Sequence, residues 1–582
     1  MNSLNILVAG PAGSGLESMA HSLALSFTRE GLFVHTTSEY ENRIRGGHNY
    51  SYIRVSHEKL TSHSNTFDLV IAMDKRSVEE HINEVKKEGF IIFDESIKTE
   101  EIENKNNIKL IPIPSLKLAG EAGLKLVANI VAIGAVMAIL ERSTDSFKTV
   151  IRTIFSRKGE EIVNINYKAL DLGYEYINNN IDYRNSFKIQ GDGKERFLMD
   201  GNEAIALGSI KGGLKYLAAY PMTPGSTIMT TLAKEARNYD IVVMHTEDEI
   251  SAVNMAIGGG YAGVRSATST SGGGFALMSE ALSLAGMTET PVVIFLAQRP
   301  GPSTGLSTKT AQGDLRMAMH SGQGDFPRLV VAAGNHDDCV QLSAEAFNYA
   351  EKYQLPVIFL TEKYIADSYQ TCEKNIADGI KVERGKIATK EDLEKAVRNE
   401  DNRFPRYSFQ KDGVSPRPIP GMKDGEFLSS SYEHDEYGLV TNDTQVIVEM
   451  MEKRYKKMKE LEKELPEPIV HLTPGVLGTP GVVLLVWGGT IGPALEAQKT
   501  LKENGKDIAI VQMQYIHPFK SESVKKILKD KIIICIEGNQ TGQFESVLRE
   551  KTGIIPNYSL RKFDGEPISG EWIIEKFNEL NL

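Results

Sequence analysis

Short apolar runs recur along the chain, and most of them end at glycine, proline or acidic residues that precede a segment of helical periodicity. Such runs, bounded by turn residues, predict buried strands, and strands that alternate with helices are typical of α/β folds with parallel sheets. We therefore expect a multidomain α/β protein. The predicted strands are residues 5–9, 50–55, 66–73, 90–94, 216–219, 241–244, 266–271, 291–298, 355–361, 482–486, 508–512 and 532–536.

The longest apolar run, residues 126–140, is interrupted only by Asn129 and is rich in alanine and glycine. It is about 15 residues long, shorter than the roughly 20 that span a bilayer, so it predicts a buried core helix. Its small side chains suit close packing against another helix. The other predicted helices are 16–29, 203–214 with Asn202 as N-cap, 228–237, 250–262, 275–285 and 449–465.

Polar and proline-rich stretches divide this pattern into domains. At 582 residues the chain is too long for one core, and its length suggests three or four domains. The asparagine-rich stretch 177–195 indicates a linker, 375–398 predicts a surface helix or a connecting arm, and 404–443 indicates a loop. We expect domains over 1–185, 197–370 and 471–582, a linker over 186–196, and a connecting arm and loop region over 371–470.

Composition and charge limit the classes of function. The chain is 41% hydrophobic and 25% charged, as ordinary globular proteins are, and its net charge of −11 argues against nucleic acid or an anionic membrane as a partner. Cys339, Cys372 and Cys535 are too far apart for the four-ligand pattern of an iron–sulfur cluster, and we expect no metal site in this chain. The first strand follows no basic leader segment, so we expect a cytoplasmic protein.

Residues 220–227, Tyr-Pro-Met-Thr-Pro-Gly-Ser-Thr, lie between a predicted strand and a predicted helix. Pro221 and Pro224 fix φ at the bend and bias the residues before them away from the helical region. The hydroxyls of Thr223, Ser226 and Thr227 would lie beside unpaired N–H groups of a helix start, which is a natural site for a carboxylate. The alternative is a proline-rich turn capped by serine or threonine.

Two further loops follow predicted strands of the same region. The triple glycine 272–274, with Gly273 at its centre, places N–H groups at the carboxyl edge of the sheet, where open α/β folds bind ligands. The long loop 299–314 carries the cations Arg299 and Lys309, and loops of this length are usually functional or mobile. A cation beside Thr223 would pair with a carboxylate, and both cations remain candidates.

Residues 220–227 resemble the Tyr-Pro-Ile-Thr-Pro-Ser-Ser signature of the substrate-contacting subunit of the 2-oxoacid:ferredoxin oxidoreductases, with Met222 and Gly225 as departures. Arg299 to Gly305 matches the family's Arg-x-Gly-Pro-Ser-Thr-Gly sequence. The glycine turn 10–15 and the Arg-Ile-Arg-Gly-Gly-His stretch 43–48 resemble the family's gamma domain. The resemblance implies a gamma-like α/β domain over 1–185, a pyrimidine-type thiamine diphosphate-binding domain over 197–370, and a transketolase C-terminal-like domain over 471–582.

The acidic residues after the strand 241–244 are the candidates for cofactor contact. In thiamine enzymes a carboxylate at a strand end hydrogen-bonds N1′ of the aminopyrimidine and promotes deprotonation of the thiazolium carbon. The alternative is an ordinary solvated helix N-terminus, favoured by the helix dipole. The resemblance favours the first interpretation and, because the family's glutamate precedes a glycine by about nine residues, indicates Glu249 with Gly258, or else Glu247.

The resemblance implies the alpha subunit, as a gamma–alpha fusion, of an enzyme that converts a 2-oxoacid and CoA to acyl-CoA and CO₂ and passes two electrons to ferredoxin. Thiamine diphosphate would be shared with a separate beta subunit, which would supply Mg²⁺ and a 4Fe-4S cluster. 2-Oxoglutarate is the expected substrate, ahead of pyruvate or a branched-chain 2-oxoacid. A noncatalytic scaffold is the alternative function. Substrate contacts are expected from Tyr220, Thr223 and Arg299 or Lys309, and cofactor contacts from Glu249 or Glu247, Pro221 and Gly273.

Three other motifs attract attention. Gly191-Asp192-Gly193 is not expected to bind a diphosphate, since it lies in a polar linker without a preceding strand. The stretch 433–436, Glu-His-Asp-Glu, is contiguous and cannot direct all its side chains to one metal, so we expect a loop that contacts the partner. The stretch 537–543 predicts a polar turn at a sheet edge that faces a ligand.

Overall fold

The computed structural model describes residues 3–41, 46–104, 106–185, 187, 189–473 and 480–582. The chain forms two compact units. The first, called the N-terminal unit, consists of Met1–Asp200, Asp367–Asn375 and Ser569–Glu575. The second, called the C-terminal unit, consists of Gly201–Ala366, Ile376–Ile568 and Lys576–Leu582.

The strands lie close to the apolar runs of the sequence, and each predicted strand is confirmed. The strands that the pattern missed, such as β2 and β14, are short or carry polar residues on both faces, so they show little hydrophobic periodicity. In chain order the strands are β1 (Ser3–Ala12), β2 (Phe33–Tyr40), β3 (Gly46–Ser56), β4 (Phe67–Ala72), β5 (Val85–Asp94), β6 (Lys109–Ile113), β7 (Arg196–Asp200), β8 (Tyr216–Ala219), β9 (Val242–His245), β10 (Ser266–Thr270), β11 (Val292–Gln298), β12 (Leu329–Ala332), β13 (Pro356–Glu362), β14 (Tyr369–Glu373), β15 (Ile469–His471), β16 (Val482–Trp487), β17 (Ile508–Met513), β18 (Tyr515–His517), β19 (Ile532–Glu537) and β20 (Tyr558–Arg561).

Helices follow most strands, as the α/β pattern predicts. The predicted helix over 275–285 is in fact two helices, α10 and α11, that meet at Met278. In chain order the helices are α1 (Leu16–Arg29), α2 (Lys75–His81), α3 (Ser115–Ala122), α4 (Ala128–Ile139), α5 (Asp145–Phe155), α6 (Glu160–Asn180), α7 (Gly201–Lys211), α8 (Ser226–Tyr239), α9 (Glu249–Tyr261), α10 (Gly272–Leu277), α11 (Ser279–Met287), α12 (Leu315–His320), α13 (His336–Tyr353), α14 (Lys363–Asp367), α15 (Lys390–Lys395), α16 (Thr444–Glu464), α17 (Ile491–Glu503), α18 (Ser521–Leu528), α19 (Gln543–Thr552) and α20 (Gly570–Glu579).

The N-terminal unit is built on an eight-stranded mixed sheet in the order β6-β5-β4-β1-β3-β2-β14-β7. The apolar helix α4 is buried in its core, as predicted, and packs on α6. Gly134 of α4 faces the backbone of Leu170, and Gly173 of α6 faces the backbone of Val131, each so closely that a Cβ atom would overlap it. The two helices therefore pack backbone to backbone, which explains the small residues of the run.

The polar stretch 177–195 departs from its prediction, because α6 continues to Asn180 before the chain becomes irregular. Within the stretch, the Asp192 carboxylate accepts hydrogen bonds from Arg196 Nη1 (2.9 Å) and Nη2 (2.6 Å). The Arg196 guanidinium lowers the pKa of Asp192 to about 2. Asp192 is thus the acceptor of an ion pair that anchors the start of β7. Arg43 and Arg45 of the sequence motif 43–48 lie outside the described residues.

The C-terminal unit contains a seven-stranded sheet in the order β18-β12-β13-β11-β10-β8-β9 and a five-stranded sheet in the order β15-β17-β16-β19-β20. In the first sheet all strands are parallel except β18, and in the second all are parallel except β15. Because parallel strands end at one edge, the loops after β8, β9, β10 and β11 meet there, and this edge is where open α/β sheets bind ligands.

Two buried carboxylates anchor the irregular segment 376–443 and the helix α16 that follows it. Glu351 of α13 accepts hydrogen bonds from Arg265 Nε (2.8 Å) and from Arg384 Nε of the segment (2.7 Å). Glu289 pairs with Lys453 and Lys457 of α16, and Lys453 Nζ lies 2.6 Å from Glu289 Oε1. Charge-assisted hydrogen bonds to Glu351 thus hold the irregular segment, and those to Glu289 hold α16.

No helix in the described part of the chain is both long and apolar enough to cross a membrane.

Candidate active site

Four loops at the carboxyl edge of the seven-stranded sheet form the candidate site. The 220–227 loop follows β8, the acidic residues follow β9, the triple glycine follows β10, and the 299–314 loop follows β11. The order β11-β10-β8-β9 makes these strands direct neighbours. The sequence motifs, which are distant along the chain, are therefore adjacent in space.

The 220–227 loop is fixed between β8 and α8. Pro224 and Gly225 are buried, whereas Met222 and Thr223 are half-buried and Tyr220 and Pro221 are exposed. Asn202 Nδ2 donates a hydrogen bond to the Pro224 carbonyl at 2.9 Å. Asn202 was predicted as the N-cap of α7, which is wrong: the helix begins at Gly201, and the Asn202 side chain supports the loop instead.

The structure brings Arg299, and not Lys309, to the threonine of this loop. Arg299 Nη1 donates a hydrogen bond to the Thr223 carbonyl oxygen at 2.7 Å. Burial lowers the pKa of Arg299, and the negative charge of Asp314 opposes this effect. Because the pKa of a guanidinium is ordinarily so high, Arg299 remains charged at neutral pH. Lys309 pairs with Glu566. Of the two candidate cations, Arg299 is therefore the one at the loop.

The triple glycine lies where the loops converge. A Cβ atom on Gly273 would be 3.9 Å from Met222 Sδ and 3.9 Å from the Ser303 carbonyl oxygen, so this glycine faces both the 220–227 loop and the 299–314 loop. A Cβ atom on Gly274 would be only 2.6 Å from Glu249 Cγ. The absence of side chains here gives the backbone of the loops, and the Glu249 side chain, room to approach.

Glu249 is the first residue of α9, yet it is not a solvated helix start. Its side chain is buried, with 4% of the residue exposed, and Oε1 has no hydrogen-bond donor in the described part of the chain. The helix is capped instead by Asp248, whose Oδ1 accepts a hydrogen bond from Ser251 N at 2.7 Å. Glu247 is exposed. A buried carboxylate oxygen without a donor is costly unless a ligand supplies one, so Glu249 fits a cofactor that presents an N–H group.

Asp314 is a site residue that the sequence pattern did not identify. Its Oδ2 is enclosed without a donor from the described residues, and a Cβ atom on Gly272 would lie 2.6 Å from it. Burial raises the pKa of Asp314 to about 6, against the attraction of Arg299. Its backbone N–H donates to Gln298 Oε1 at 3.0 Å, which joins the two ends of the 299–314 loop. The only sequence signal was an acidic residue at the end of a long loop.

Together these residues place one cation, Arg299, and two enclosed carboxyl groups, Glu249 and Asp314, at this edge of the sheet. The cation and the N–H groups of the triple glycine suit the carboxylate of a small acid. Tyr220 borders the edge, and its ring lies 6.2 Å from the ring of His245. Pro221 is exposed beside it. Among the described residues no group of three or more histidine, cysteine, aspartate or glutamate side chains could hold a metal ion.

The Glu-His-Asp-Glu motif makes contacts within its own unit. Glu433 Oε1 accepts a hydrogen bond from Arg454 Nη1 of α16 at 2.9 Å. His434 is fully buried, with its ring centroid 4.2 Å from that of Tyr407. Asp435 Oδ1 accepts from Tyr437 N at 2.9 Å. Glu433 thus binds the motif to α16, and the expected contact with a partner stays a prediction.

Two family models match the chain. One, described as pyruvate flavodoxin/ferredoxin oxidoreductase, thiamine diphosphate-binding, matches residues 207–453 and therefore covers the whole candidate site except Asn202. The other, described as pyruvate ferredoxin/flavodoxin oxidoreductase, matches residues 5–176. The expected α/β multidomain fold with a thiamine diphosphate-binding domain is thus confirmed.

Individual relatives cover nearly the whole chain. The 2-oxoacid:ferredoxin oxidoreductase subunit alpha of Sulfolobus sp. is 32% identical over 97% of this chain and 95% of its own length. The 2-oxoglutarate oxidoreductase subunit KorA of Mycobacterium tuberculosis is 26% identical over 95% of this chain and 87% of its own. The solved 2-oxoglutarate:ferredoxin oxidoreductase of Magnetococcus marinus, with 2-oxoglutarate, coenzyme A and succinyl-CoA bound, superposes with a TM-score of 0.92 at 30% identity and covers 100% of this chain and 99% of that one.

Proposed function

Because this chain belongs to the alpha subunits of the 2-oxoacid:ferredoxin oxidoreductases, we propose that its four-loop edge forms the 2-oxoacid-binding half of an active site completed by a beta subunit. The enzyme converts a 2-oxoacid and CoA to acyl-CoA and CO₂ and passes two electrons to ferredoxin. The observation that carries the proposal is the convergence of Arg299 on Thr223, beside Gly273 and the enclosed Glu249.

In this proposal Arg299 and Thr223 bind the carboxylate of the 2-oxoacid. One guanidinium nitrogen of Arg299 is held by the Thr223 carbonyl, which orients the planar group and leaves its remaining N–H donors for an anion. The Thr223 hydroxyl adds a further donor. Partial burial strengthens these charge-assisted hydrogen bonds relative to those on an open surface. Lys309, paired with Glu566, would hold the loop and not the substrate.

Glu249 is proposed to contact the thiamine diphosphate that the matched domain binds. When bound, thiamine diphosphate supplies the electron sink that allows a 2-oxoacid to lose CO₂. Glu249 Oε1 would accept a hydrogen bond from the aminopyrimidine and so hold a proton at N1′. Gly274 leaves room for the Glu249 side chain, and Gly273 and Pro221 are proposed as further contacts of the cofactor. The exposed Glu247 is the less suitable of the two candidates.

The remaining parts of the active site are proposed for the partner. Asp192 of the Gly-Asp-Gly stretch is paired with Arg196, and Cys339, Cys372 and Cys535 are each buried. These observations support a beta subunit that holds Mg²⁺ with the diphosphate and carries a 4Fe-4S cluster. Ferredoxin would then receive electrons from that subunit.

2-Oxoglutarate is the proposed substrate. The solved relative from Magnetococcus marinus binds 2-oxoglutarate and covers this chain in full. Pyruvate and branched-chain 2-oxoacids are the alternatives. Glu249 and Arg299 argue against a noncatalytic scaffold. An enclosed carboxylate that lacks a hydrogen-bond donor is costly, and a scaffold that binds no cofactor would gain nothing in return.

The test is co-expression with the beta subunit, followed by CoA-dependent reduction of a viologen dye with a panel of 2-oxoacids. Glu249→Gln is expected to lower kcat by roughly 10²-fold or more, the size of a lost acid–base contact. Its matched control, Glu247→Gln, should remain within about twofold, since an exposed carboxylate contributes little. Equal losses in the two variants, or activity of this chain without the beta subunit, would refute the proposal.

A second matched pair tests substrate binding. Arg299→Ala should raise KM for the 2-oxoacid by roughly 10²-fold, because it removes a charge-assisted contact in a half-buried site. Lys309→Ala should have a much smaller effect on KM. If Lys309→Ala raised KM more than Arg299→Ala did, the proposed assignment of the substrate carboxylate to Arg299 would be wrong.

A further inference from the structure

The loop that carries Arg299 is hydrogen-bonded to the C-terminal α/β layer, defined here as the five-stranded sheet with its helices. The contacts cluster at Gln312, which is 2% exposed. Gln312 N donates to the Gly538 carbonyl at 2.8 Å, and Gly538 N donates back to Gln312 Oε1 at 2.8 Å. Gln312 Nε2 donates to the Trp487 carbonyl at 2.9 Å. Backbone and side chain of this one residue are thus bound at the carboxyl ends of β16 and β19.

The polar turn 537–543, which the sequence pattern predicts to face a ligand, makes further hydrogen bonds to the loop. Asn539 Nδ2 donates to the Gln312 carbonyl at 3.1 Å, and Gln543 Nε2 donates to the Gly313 carbonyl at 2.6 Å. Each polar group of Gln312 therefore has a partner from the same layer. In the described contacts the turn faces the 299–314 loop.

Glu537 makes this turn rigid. Its carboxylate is buried and accepts hydrogen bonds from Asn539 Nδ2 and from Phe544 N, both at 2.8 Å, and from Glu545 N at 2.9 Å. It therefore fixes the Asn539 side chain and caps α19 at the same time. A carboxylate with several N–H donors holds its neighbours in one arrangement, so the turn is preorganised for Gln312.

Gln312 is connected to the substrate cation through the base of the loop. Asp314 N donates to Gln298 Oε1 at 3.0 Å, and Gln298 is the last residue of β11, directly before Arg299. Arg299 Nη1 then contacts the Thr223 carbonyl at 2.7 Å. A second attachment, Thr310 N to the Gly565 carbonyl at 3.0 Å, restrains the loop upstream of Gln312.

We infer that Gln312 is a positioning residue, through which the C-terminal α/β layer holds the 299–314 loop so that Arg299 and Asp314 keep their places at the substrate site. This inference rests on the proposed function in one respect, namely that Arg299 binds the 2-oxoacid. In this scheme Gln312 acts through Arg299 and Asp314 and not by direct contact with substrate or cofactor. The layer thereby contributes to substrate affinity without lining the site.

The test compares Gln312→Met with Gln498→Met in the assembled enzyme. Methionine keeps the length of glutamine and removes its polar groups, so packing changes little. Gln498 is also a buried glutamine of the layer, and it binds the Ile508 and His471 carbonyls instead of the loop. Gln312→Met should raise KM for the 2-oxoacid roughly tenfold and leave KM for CoA within about twofold. The reason is that the variant weakens binding of the 2-oxoacid and does not alter a chemical step. Gln498→Met should leave both constants unchanged.

Two further measurements separate the inference from the proposed function. Peptides that span 299–314 should exchange amide hydrogens faster in Gln312→Met than in the wild type, without substrate present. In an Arg299→Ala background, Gln312→Met should add nothing to KM, since a positioning residue acts only through the group it positions. Unchanged exchange, a fully additive effect on KM, or an equal effect of Gln498→Met would each overturn the inference. An Arg299→Ala variant with normal KM would instead overturn the proposed function, and hydrogen exchange would still decide whether Gln312 holds the loop.

Discussion

Glu362, at the carboxyl end of β13, makes the stability of this protein dependent on pH in a way that one substitution should remove. The residue is 4% exposed, and its Oε1 accepts a hydrogen bond from Gly489 N at 2.6 Å. Burial raises its pKa from 4.5 to about 8, against the hydrogen bonds from Gly489 and Gln312. The folded protein therefore keeps Glu362 protonated at pH 7, where the unfolded chain would ionise it.

The sign and the size follow from proton linkage. Between pH 4.5 and about 8 the folded state binds one more proton at this group than the unfolded state, so stability falls as pH rises through that window. The loss from this group is about 1 kcal/mol at pH 5 and about 3 kcal/mol at pH 7. Glutamine cannot ionise, and its oxygen can still accept the bond from Gly489 N. Glu362→Gln should therefore be more stable than the wild type, by an amount that grows with pH.

The assay is urea unfolding of wild type and Glu362→Gln at pH 5, 6 and 7, with the two proteins compared at each pH. All other titrating groups are shared, so they cancel in the difference. Glu522→Gln, which changes a carboxylate with an 89% exposed side chain, is the control and should show no trend. The reasoning is refuted if the difference between Glu362→Gln and wild type is the same at pH 5 and pH 7, or if the variant is less stable at pH 7.

Three other predictions concern the site and the core. In Gly274→Ala the new methyl group would lie 2.6 Å from Glu249 Cγ, so activity with the beta subunit should fall roughly 10²-fold. In the control Gly258→Ala the Cβ atom meets open space, so activity should be retained, and equal activities of the two variants would contradict this account. Because ionised Asp314 reduces the positive charge at Arg299, KM for the 2-oxoacid should rise as pH increases through about 6, and Asp314→Asn should abolish this rise in a pH series. Glu351→Gln leaves buried arginines without a counter-ion and should lower the free energy of unfolding by about 3 to 5 kcal/mol, measured by urea denaturation; a loss below about 1 kcal/mol would show that the charge is not required.

Local pattern was sufficient where a feature depends on a short stretch of chain. Each predicted strand and the apolar helix α4 follow from periodicity that lies within one element. Three of the four loops of the site were identifiable because glycine, proline and hydroxyl residues directly follow strands. The parallel order of those strands then brings the loops to one edge without further information.

Features that depend on contacts between distant parts of the chain were not predictable in this way. Glu249 and Glu247 both follow β9 within three residues of one another, and it is burial against Gly274 that distinguishes the former from the exposed Glu247. Arg299 and Lys309 lie in one loop, and the partner of each comes from elsewhere in the chain. Asn202 looked like an N-cap because asparagine favours that position, but its actual partner is the Pro224 carbonyl.

The hydrogen bond that joins Gln298 to Asp314 bears on how the specificity of such an enzyme can change. It closes the base of the loop, and Thr310 and Gln312 are held at Gly565 and Gly538, so the stretch 300–308 can vary in number while both ends stay in place. The entropic cost of a longer closed loop grows only with the logarithm of its length, about 0.6 kcal/mol for each doubling. Insertions around Ser303, which lies beside Gly273, would therefore alter the reach of the loop over a bound acid and leave Arg299 at Thr223. Loop length becomes a means of accommodating short or long 2-oxoacids on one unchanged carboxylate anchor.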